Sequence, residues 1–175
     1  MNEVLKTIKE RRSIRNFKKE MPGMDMINQV IEAGLYAPSG KNLQSCKILC
    51  ITNKQLIDQI SKDNCAIGGY DPNSDPFYGA PVILIVIGDK NNPNVKYDGA
   101  LILQNMMLAA HSLGLGSIWI NRARQEFEMD YYKQILKDLN IEGEYEGVGH
   151  LALGYVDGDY PDILPRKQGR VYYID

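Results

Sequence analysis

Apolar residues recur at two different spacings along the chain, and these spacings divide it into helices and strands. Spacings of three and four residues predict amphipathic helices, whereas short aliphatic and β-branched runs predict strands. The predicted helices cover residues 3 to about 12, about 25 to 35, 53–63, 97–114 and about 125–139, and the predicted strands cover 46–52, 80–88, 115–120 and 147–155. The resulting order, ααβαβαβαβ, predicts an α+β fold.

The strand 80–88 indicates how these elements are layered. Its sequence, "APVILIVIG", is nearly continuous in aliphatic residues, which is typical of a strand covered on both faces. We therefore expect a central mixed or antiparallel sheet flanked by helices. The helix 97–114 is the longest apolar-rich helix and is expected to lie at the centre of the core, with Gly114 as a left-handed cap.

Both ends of the chain carry further signals. Asn2 is predicted to cap the first helix. Residues after 155 lie outside the alternation and are rich in Pro and Gly, although 170–174 is predicted as one more strand. Because no linker separates two cores and no repeat is found, residues 1–175 are interpreted as a single domain.

Composition narrows the class of protein. The 175 residues are 44% hydrophobic and 24% charged, which is typical of a folded globular protein. Lys and Arg number 20 against 22 Asp and Glu, so a nucleic-acid surface is not expected. The longest apolar runs are too short to cross a bilayer, and the first residues lack the hydrophobic region of a secretory signal. We therefore expect a cytoplasmic protein without a membrane segment.

Cysteine and histidine residues give no sign of catalytic chemistry. Cys46, Cys50 and Cys65 have no CxxC spacing and are expected to stay free thiols, with Cys46 and Cys50 as small buried residues of a strand. His111 and His150 are the two histidines, and neither has a metal-binding spacing. No metal site is therefore expected.

Basic residues are concentrated near the N-terminus, although the formal net charge is −2. Lys9, Arg11, Arg12, Arg15, Lys18 and Lys19 lie within eleven residues, and Arg166, Lys167 and Arg170 form a second cluster. One interpretation is a solvated helix end whose cations favour the negative end of the helix dipole. The other is a phosphate site, because the alternate residues Arg11, Ser13 and Arg15 share one side of an extended segment. Ile14 and Phe17 would then turn toward apolar surroundings.

The loop "APSGKNLQS", residues 37–45, carries a second group of polar side chains. Ser39, Asn42 and Gln44 offer hydrogen-bond donors and acceptors that suit the edge of a planar imide, such as the pyrimidine side of a flavin. The alternative interpretation is a polar surface loop.

Together, "RRSIRNF" and "APSGKNLQS" resemble motifs of the FMN-dependent nitroreductase family. The resemblance continues through "DGALILQNMMLAAHSLGLGSIWI" and "LALGYVDGDYPDILPRK", so it covers nearly the whole chain. Each motif is weak alone, and the order and spacing of all four carry the signal. The resemblance implies a nitroreductase-like fold and a homodimer with two FMN molecules at the subunit interface, in which the C-terminal segment extends to the partner subunit.

The resemblance also implies four groups of cofactor-binding residues. Arg11, Arg12, Ser13 and Arg15 resemble the group that contacts the FMN phosphate, ribityl chain and N1 side, and Pro38, Ser39, Asn42 and Gln44 resemble the loop beside the ring, partly supplied by the partner subunit. Trp119, Ile120, Asn121 and Arg122 are similar to the segment whose backbone amides face N5 and O4, and Arg166, Lys167 or Arg170 resembles a late contact to the phosphate. Arg15 is expected to place positive charge near N1, where reduction leaves negative charge.

The activity that the resemblance implies is hydride transfer from NADH or NADPH through FMN to an organic acceptor, such as a nitroaromatic compound or a quinone, with ping-pong turnover. Dehydrogenation or reductive dehalogenation on the same scaffold is an alternative. A non-catalytic FMN-binding or redox-sensing dimer is another, and a small anion-binding module without flavin is a third. Ser45 and Cys46 stand where many members have Pro-Trp, so the packing beside the ring is not predicted.

Overall fold

An antiparallel sheet forms the middle layer of the fold, and helices pack on both of its faces. The computed structural model describes residues 2–175. The helices are α1 (Glu3–Glu10), α2 (Met24–Leu35), α3 (Lys54–Gly68), α4 (Val95–Ser112), α5 (Ala123–Glu126) and α6 (Asp130–Asp138). The strands are β1 (Cys46–Ile51), β2 (Val82–Asp89), β3 (Gly116–Ile120) and β4 (Tyr145–Gly154), and a 3-10 turn covers Gly40–Asn42. The predicted α+β fold is confirmed.

The strand order in the sheet is β1-β2-β4-β3, and every neighbouring pair is antiparallel. β2 and β4 therefore lie in the middle, whereas β1 and β3 are the edge strands. A parallel bridge between Ser13 and Ser117 attaches the segment that follows α1 to the β3 edge. Of the two sheet types expected from the sequence, the structure has the antiparallel one.

Alternate residues of β2 enter two separate hydrophobic clusters. The odd-numbered residues from Ile83 to Ile87 pack in a cluster that includes residues of α3, α5 and α6. The even-numbered residues from Val82 to Val86 pack with residues of α2 and α4 on the other face. All of these side chains are buried, so the prediction that β2 is covered on both faces is confirmed.

Helix ends are set by local capping. Asn2 accepts a hydrogen bond from the amide of Leu5 (2.9 Å), as predicted for the N-cap of α1. This helix ends at Glu10, short of the expected residue 12, because the backbone of Arg11 is already extended (φ −50°, ψ 133°). Gly114 adopts the predicted left-handed conformation (φ 75°) after α4.

Two other helices differ from their predicted bounds. α3 continues past residue 63 to Gly68, because Asn64 and Cys65 are buried and extend its inward face. The predicted helix 125–139 is instead two helices, α5 and α6, since the backbone of Met129 between them is extended (φ −79°, ψ 143°). Phe127, also between them, is buried, so this break keeps an aromatic side chain in the core.

The C-terminal residues do not form the strand predicted for 170–174. Residues 157–175 are exposed and have no regular structure. A strand needs a hydrogen-bonded neighbour. The last β-bridge along the described chain joins Phe17 to Val156, so residues 157–175 pair with no strand of residues 2–175. The strand prediction is therefore wrong for the single subunit.

An irregularity in β4 lets the segment after β3 approach the sheet. The pairing of β2 with β4 shifts at Val148, which is the extra residue of a β-bulge. Glycines flank this residue: a Cβ at Gly147 would lie 2.2 Å from the Ala123 carbonyl oxygen, and one at Gly149 would lie 2.4 Å from Trp119 Nε1. Only residues without a side chain allow this close approach.

Candidate functional site

The arginine-rich segment runs from the end of α1 along the edge of β3. Ile14 donates its backbone N–H to the carbonyl of Ser117 (3.1 Å), which fixes the segment in an extended form. Ile14 and Phe17 are both buried, as expected, although alternation accounts only for Ile14, because Phe17 lies two residues after Arg15. Because side chains alternate in an extended segment, the residues on either side of Ile14 are directed away from the core.

Five of the sequence-predicted site residues line one cavity, which we call the arginine cavity. This cavity has a volume of about 280 Å³ and is lined by Arg11, Arg12, Ser13, Arg15, Pro161, Asp162, Leu164 and Arg166. Arg12 donates its backbone N–H to the Tyr160 hydroxyl (3.0 Å) and its Nε to the Asp162 carbonyl (3.2 Å). These hydrogen bonds hold the C-terminal segment against Arg12. The same segment brings Arg166 into the cavity lining with Arg11, Arg12 and Arg15. Lys167 and Arg170 lie further along the exposed segment, outside this lining.

The arginine cavity has an excess of positive charge. Arg11 Nη1 and Arg12 Nη2 are buried and have no hydrogen-bond partner in the described part of the chain, which is costly for a charged donor. Burial lowers the pKa of Arg11, Tyr160 acts in the opposite direction, and the charges of Arg12 and Arg166 lower it further. Among residues 2–175, none of the four arginines of the cavity forms an ion pair with a carboxylate. The arrangement is chemically suited to a bound anion.

A larger cavity, which we call the Trp119 cavity, adjoins the arginine cavity through Arg15, which lines both. Its volume is about 550 Å³, and its lining is Arg15, Tyr70, Asp71, Ser74, Asp75, Pro76, Tyr78, Ile118, Trp119, Ile120, Asn121 and Arg122. Trp119 is 37% exposed, although the other residues of β3 are buried. Trp119 is therefore a partly exposed aromatic residue at this edge of the sheet, in the same cavity lining as the guanidinium groups of Arg15 and Arg122.

The segment just after β3 has a strained backbone. Arg122 is a non-glycine residue in the left-handed region (φ 83°), and its N–H is bound by the side-chain oxygen of Asn121 (2.9 Å). Its guanidinium lies over the ring of Tyr70, 4.5 Å from the centroid, and donates to the Tyr70 hydroxyl. Strain of this kind is frequent at ligand sites, where the surrounding structure must hold it in place.

A buried polar network holds this strained segment from below. Asn64 donates from Nδ2 to the Asn121 carbonyl (2.9 Å) and to Glu126 Oε1 (2.8 Å). Glu126 Oε2 lies 2.6 Å from His150 Nε2, and His150 Nδ1 lies 3.3 Å from the carbonyl of Ile120. Because a carbonyl can only accept, Nδ1 of this histidine carries a proton. The network thus ties two successive carbonyls of the cavity wall to α3, α5 and β4.

The polar loop 38–44 lies at the other edge of the sheet. It leads into β1, whose first residue, Cys46, pairs with Gly88 of β2. Ser117 lies level with Val82 at the opposite end of β2, since both are in register with the same residue of β4. Since the arginine-rich segment pairs outside β3, the two motifs are about 19 Å apart across four strand spacings and about 20 Å apart along the strands. Of the four predicted residues here, Ser39 is half-buried and Pro38, Asn42 and Gln44 are exposed, and none of them lines either cavity.

Sequence reasoning missed two parts of the site. The pattern of the connection 69–81 indicates only turns, yet this connection supplies Tyr70, Asp71, Ser74, Asp75, Pro76 and Tyr78 to the Trp119 cavity. Its length is a signal, because long connections in compact domains are often functional. The Glu126–His150 pair was missed because its members are far apart in sequence. A histidine within the apolar strand "GVGHLALGY" is the signal that points to a buried partner.

The remaining candidates for chemistry are limited. All three cysteines are free. Burial, assisted by the charge of Asp98, raises the pKa of Cys46 to about 11. Cys50 is exposed, so its expected burial is wrong, because β1 is an edge strand.

Within residues 2–175, no three His, Cys, Asp or Glu side chains cluster as metal ligands would, and no helix is long and apolar enough to cross a membrane.

Comparison with known proteins identifies the family. The model of the Nitroreductase family matches residues 8–66 and 69–155, which is most of the chain. The chain belongs to the nitroreductase family. The predicted nitroreductase-like fold is also confirmed by a crystal structure of an FMN-bound nitroreductase from Bacteroides fragilis, with 29% identity, a TM-score of 0.88 and full coverage of both chains. An FMN-bound nitroreductase from Desulfitobacterium hafniense has 28% identity and a TM-score of 0.87, again over both whole chains.

This nitroreductase-family chain matches only part of two of its curated relatives. A Methanothermobacter thermautotrophicus protein named as an NADH dehydrogenase/NAD(P)H nitroreductase is 29% identical over 67% of this chain. The FMN reductase [NAD(P)H] of Bacillus subtilis is also 29% identical, over 71% of this chain. The matched region spans 60% of the first relative and 56% of the second.

We expect Glu126→Ala to lower the free energy of unfolding by about 3 kcal/mol, because it removes the partner of the buried His150 Nε2 and one of the two acceptors of the buried Asn64 Nδ2. Urea unfolding measures this loss. Glu128→Ala is the control: this residue is 61% exposed and lies 3.9 Å from Arg124, so a change below about 0.5 kcal/mol is expected. Equal losses in the two variants would contradict a structural role for the buried network.

Proposed function

We propose that this protein is an NAD(P)H-dependent FMN oxidoreductase that passes a hydride from the nicotinamide to a small organic acceptor. One observation carries the proposal: the arginine cavity is lined by arginines with buried guanidinium donors that no group of residues 2–175 satisfies. The FMN bound by the Bacteroides fragilis and Desulfitobacterium hafniense relatives supports the choice of cofactor. The relative named FMN reductase [NAD(P)H] supports the choice of reductant.

The phosphate of FMN fits the arginine cavity. A phosphate is a dianion with several acceptor oxygens, and planar guanidinium groups bind such oxygens in pairs. Arg11 and Arg12 offer one unpaired buried N–H group each, and Arg166 adds a third positive charge to the same lining. The Ser13 hydroxyl lies in that lining as well. An anion here offsets both the repulsion among the cations and the cost of their burial.

The Trp119 cavity fits the flavin ring and the compound that reacts with it. Arg15 is common to both cavities, so its positive charge suits a cofactor whose phosphate and ring occupy one cavity each. The bound flavin supplies the hydride chemistry. The chain's own part is to hold and orient: the buried network fixes the segment Trp119–Arg122, while Trp119, Tyr70 and Tyr78 give aromatic surface to the ring or to an aromatic acceptor. We infer that nitroaromatic and quinone-like compounds are its acceptors.

The positions of the two motifs support a homodimer. Loop 38–44 and the arginine cavity lie at opposite corners of the sheet, too far apart to border one ring within a single subunit. If loop 38–44 contacts the ring, a second copy of the chain must supply it. Exposed apolar residues support such an interface: Val171 to Ile174 are 69–97% exposed. We propose that this C-terminal segment extends onto the partner subunit, and that residues 1–175 form one domain of that dimer.

The proposed activity predicts the absorption spectrum of the purified protein. After incubation with FMN and gel filtration, we expect flavin bands in the visible region, and anaerobic addition of NADH or NADPH should bleach them. Separate titrations with each nucleotide identify the preferred reductant, and an added nitroaromatic or quinone should restore the colour. A protein that retains FMN but is reduced by neither nucleotide would contradict the enzymatic proposal and favour an FMN-binding or redox-sensing dimer.

The arginine cavity predicts a selective loss of FMN affinity. We expect Arg11→Gln to raise the Kd for FMN about 10-fold to 100-fold, because one charged donor to the phosphate is lost, while the Kd for riboflavin, which has no phosphate, stays the same. Fluorescence quenching measures both. Arg124→Gln is the control, since this arginine contacts Glu128 and Glu146 outside both cavities. Equal weakening of FMN and riboflavin would place Arg11 away from the phosphate.

The exposed C-terminus predicts the state of association. Light scattering should give the mass of two chains for the intact protein. Deletion of residues 171–175 keeps Arg166 but removes the exposed apolar residues, so we expect dissociation at concentrations where the intact protein is dimeric. An intact protein with the mass of one chain would contradict the shared site.

A further inference from the structure

Loop 38–44 is held in a conformation that its residues do not prefer. Lys41, Asn42 and Gln44 all have positive φ (53°, 55° and 48°), although none of them is glycine. A left-handed conformation is unfavourable for a non-glycine residue, and more so for Lys and Gln than for Asn. Three such residues among four successive positions need contacts from the rest of the fold to hold them.

A buried carboxylate supplies one of these contacts. Asp98 lies in the first turn of α4, is 4% exposed, and accepts a hydrogen bond at Oδ1 from the backbone N–H of Gly40 (2.9 Å). The other oxygen, Oδ2, accepts from Asn92 Nδ2 (2.9 Å). The first turn of a helix also favours a negative charge.

Asn92 carries the connection to the other end of the loop. This residue is 5% exposed, and its Nδ2 also donates to the Ser45 hydroxyl (2.8 Å). Its Oδ1 accepts from the backbone N–H of Asn94 (2.9 Å). Asp98 and Asn92 therefore tie Gly40 and Ser45, on the two sides of the left-handed residues, to the start of α4.

Packing leaves little room for this part of the loop to shift. A Cβ at Gly40 would lie 2.4 Å from Asn94 Nδ2, so the loop backbone is in direct contact with the residue before α4. The Ser39 hydroxyl also accepts from the N–H of Gln44 (3.0 Å), which closes the loop on itself. The loop is thus fixed at its start, at its end and across its middle.

We propose that Asp98 and Asn92 are positioning residues that hold loop 38–44 in the shape required beside the flavin of the partner subunit. This inference rests on the proposed FMN site and its second copy of the chain. Neither residue lines the two cavities, so their effect on the cofactor acts through the loop.

Exchanging the two side chains tests this proposal, because it reverses donor and acceptor while keeping every bond. In the Asp98→Asn variant, the side-chain oxygen still accepts from the N–H of Gly40, but the new NH₂ group faces the NH₂ group of Asn92, so two donors meet. In the Asn92→Asp variant, two carboxylates meet instead. In the double variant, the amide introduced at position 98 donates to the carboxylate introduced at position 92. That carboxylate also accepts from the Asn94 N–H and from the Ser45 hydroxyl. A double-variant cycle isolates this coupling.

Two measurements report on the loop. In the FMN-free protein, each single variant should increase amide hydrogen exchange at residues 40–44 by about tenfold or more, and the double variant should restore the protection. For FMN binding, each single variant should raise Kd about tenfold, and the double variant should return it to within about threefold. If the Asn92→Asp variant does not fold, Asp98→Asn alone still tests the proposal, because it keeps the oxygen that accepts from Gly40 and removes only the hydrogen bond with Asn92.

Asn105→Ala is the matched control on α4. It removes a half-buried hydrogen bond from Nδ2 to the Ala33 carbonyl (3.1 Å), away from the loop, so it should lower stability without changing exchange at residues 40–44. Single variants that behave like this control, with an unchanged loop and unchanged FMN affinity, would overturn the positioning role. A wild-type protein that binds no FMN would overturn the proposed function instead, and hydrogen exchange would still test whether the pair holds the loop.

Discussion

Buried guanidinium nitrogens that find no hydrogen-bond partner among residues 2–175 set the main constraint on this structure. Arg11 and Arg12 have such groups, and their N–H donors would be satisfied by water if the segment were exposed. They remain covered because Ile14 and Phe17 anchor the segment in the core and because the C-terminal segment returns over it. The fold therefore keeps positive charge at the β3 edge in a form that an anion can neutralise. The proposed cofactor, the shared site and the dimer all depend on this excess charge.

Rigid support lies behind both strained segments of the proposed site. At the β3 edge, Asn64, Glu126 and His150 hold the carbonyls that precede the strained residue Arg122. At the β1 edge, Asp98 and Asn92 hold both ends of a loop with three left-handed residues. In both places, polar side chains from helices, strands and the connections between them fix a backbone that local preference would not adopt. The sheet places these two supports at opposite corners.

Much of the architecture was predictable from the sequence, because helices and β2 depend on local pattern. Asn2 and Gly114 cap helices as expected, and the alternation from Arg11 to Arg15 correctly brings its polar members into one cavity. The strand order was not predictable, since it depends on pairing between distant residues. Local preference also fails at two other places. At Met129 the packing of the core interrupts a predicted helix, and at 170–174 a predicted strand does not form because it has no pairing partner within residues 2–175. The hydrogen bond between Ser45 and Asn92 was not predictable either, since the two residues are far apart in sequence.

The diagonal separation of the two motifs has a genetic consequence. In the proposed dimer, each site combines the arginine cavity of one chain with loop 38–44 of the other. A mixed dimer of one chain defective at Arg11 and one chain defective in the loop would contain one site with both defects and one site with neither. Two alleles that are each inactive alone would then complement each other when expressed together.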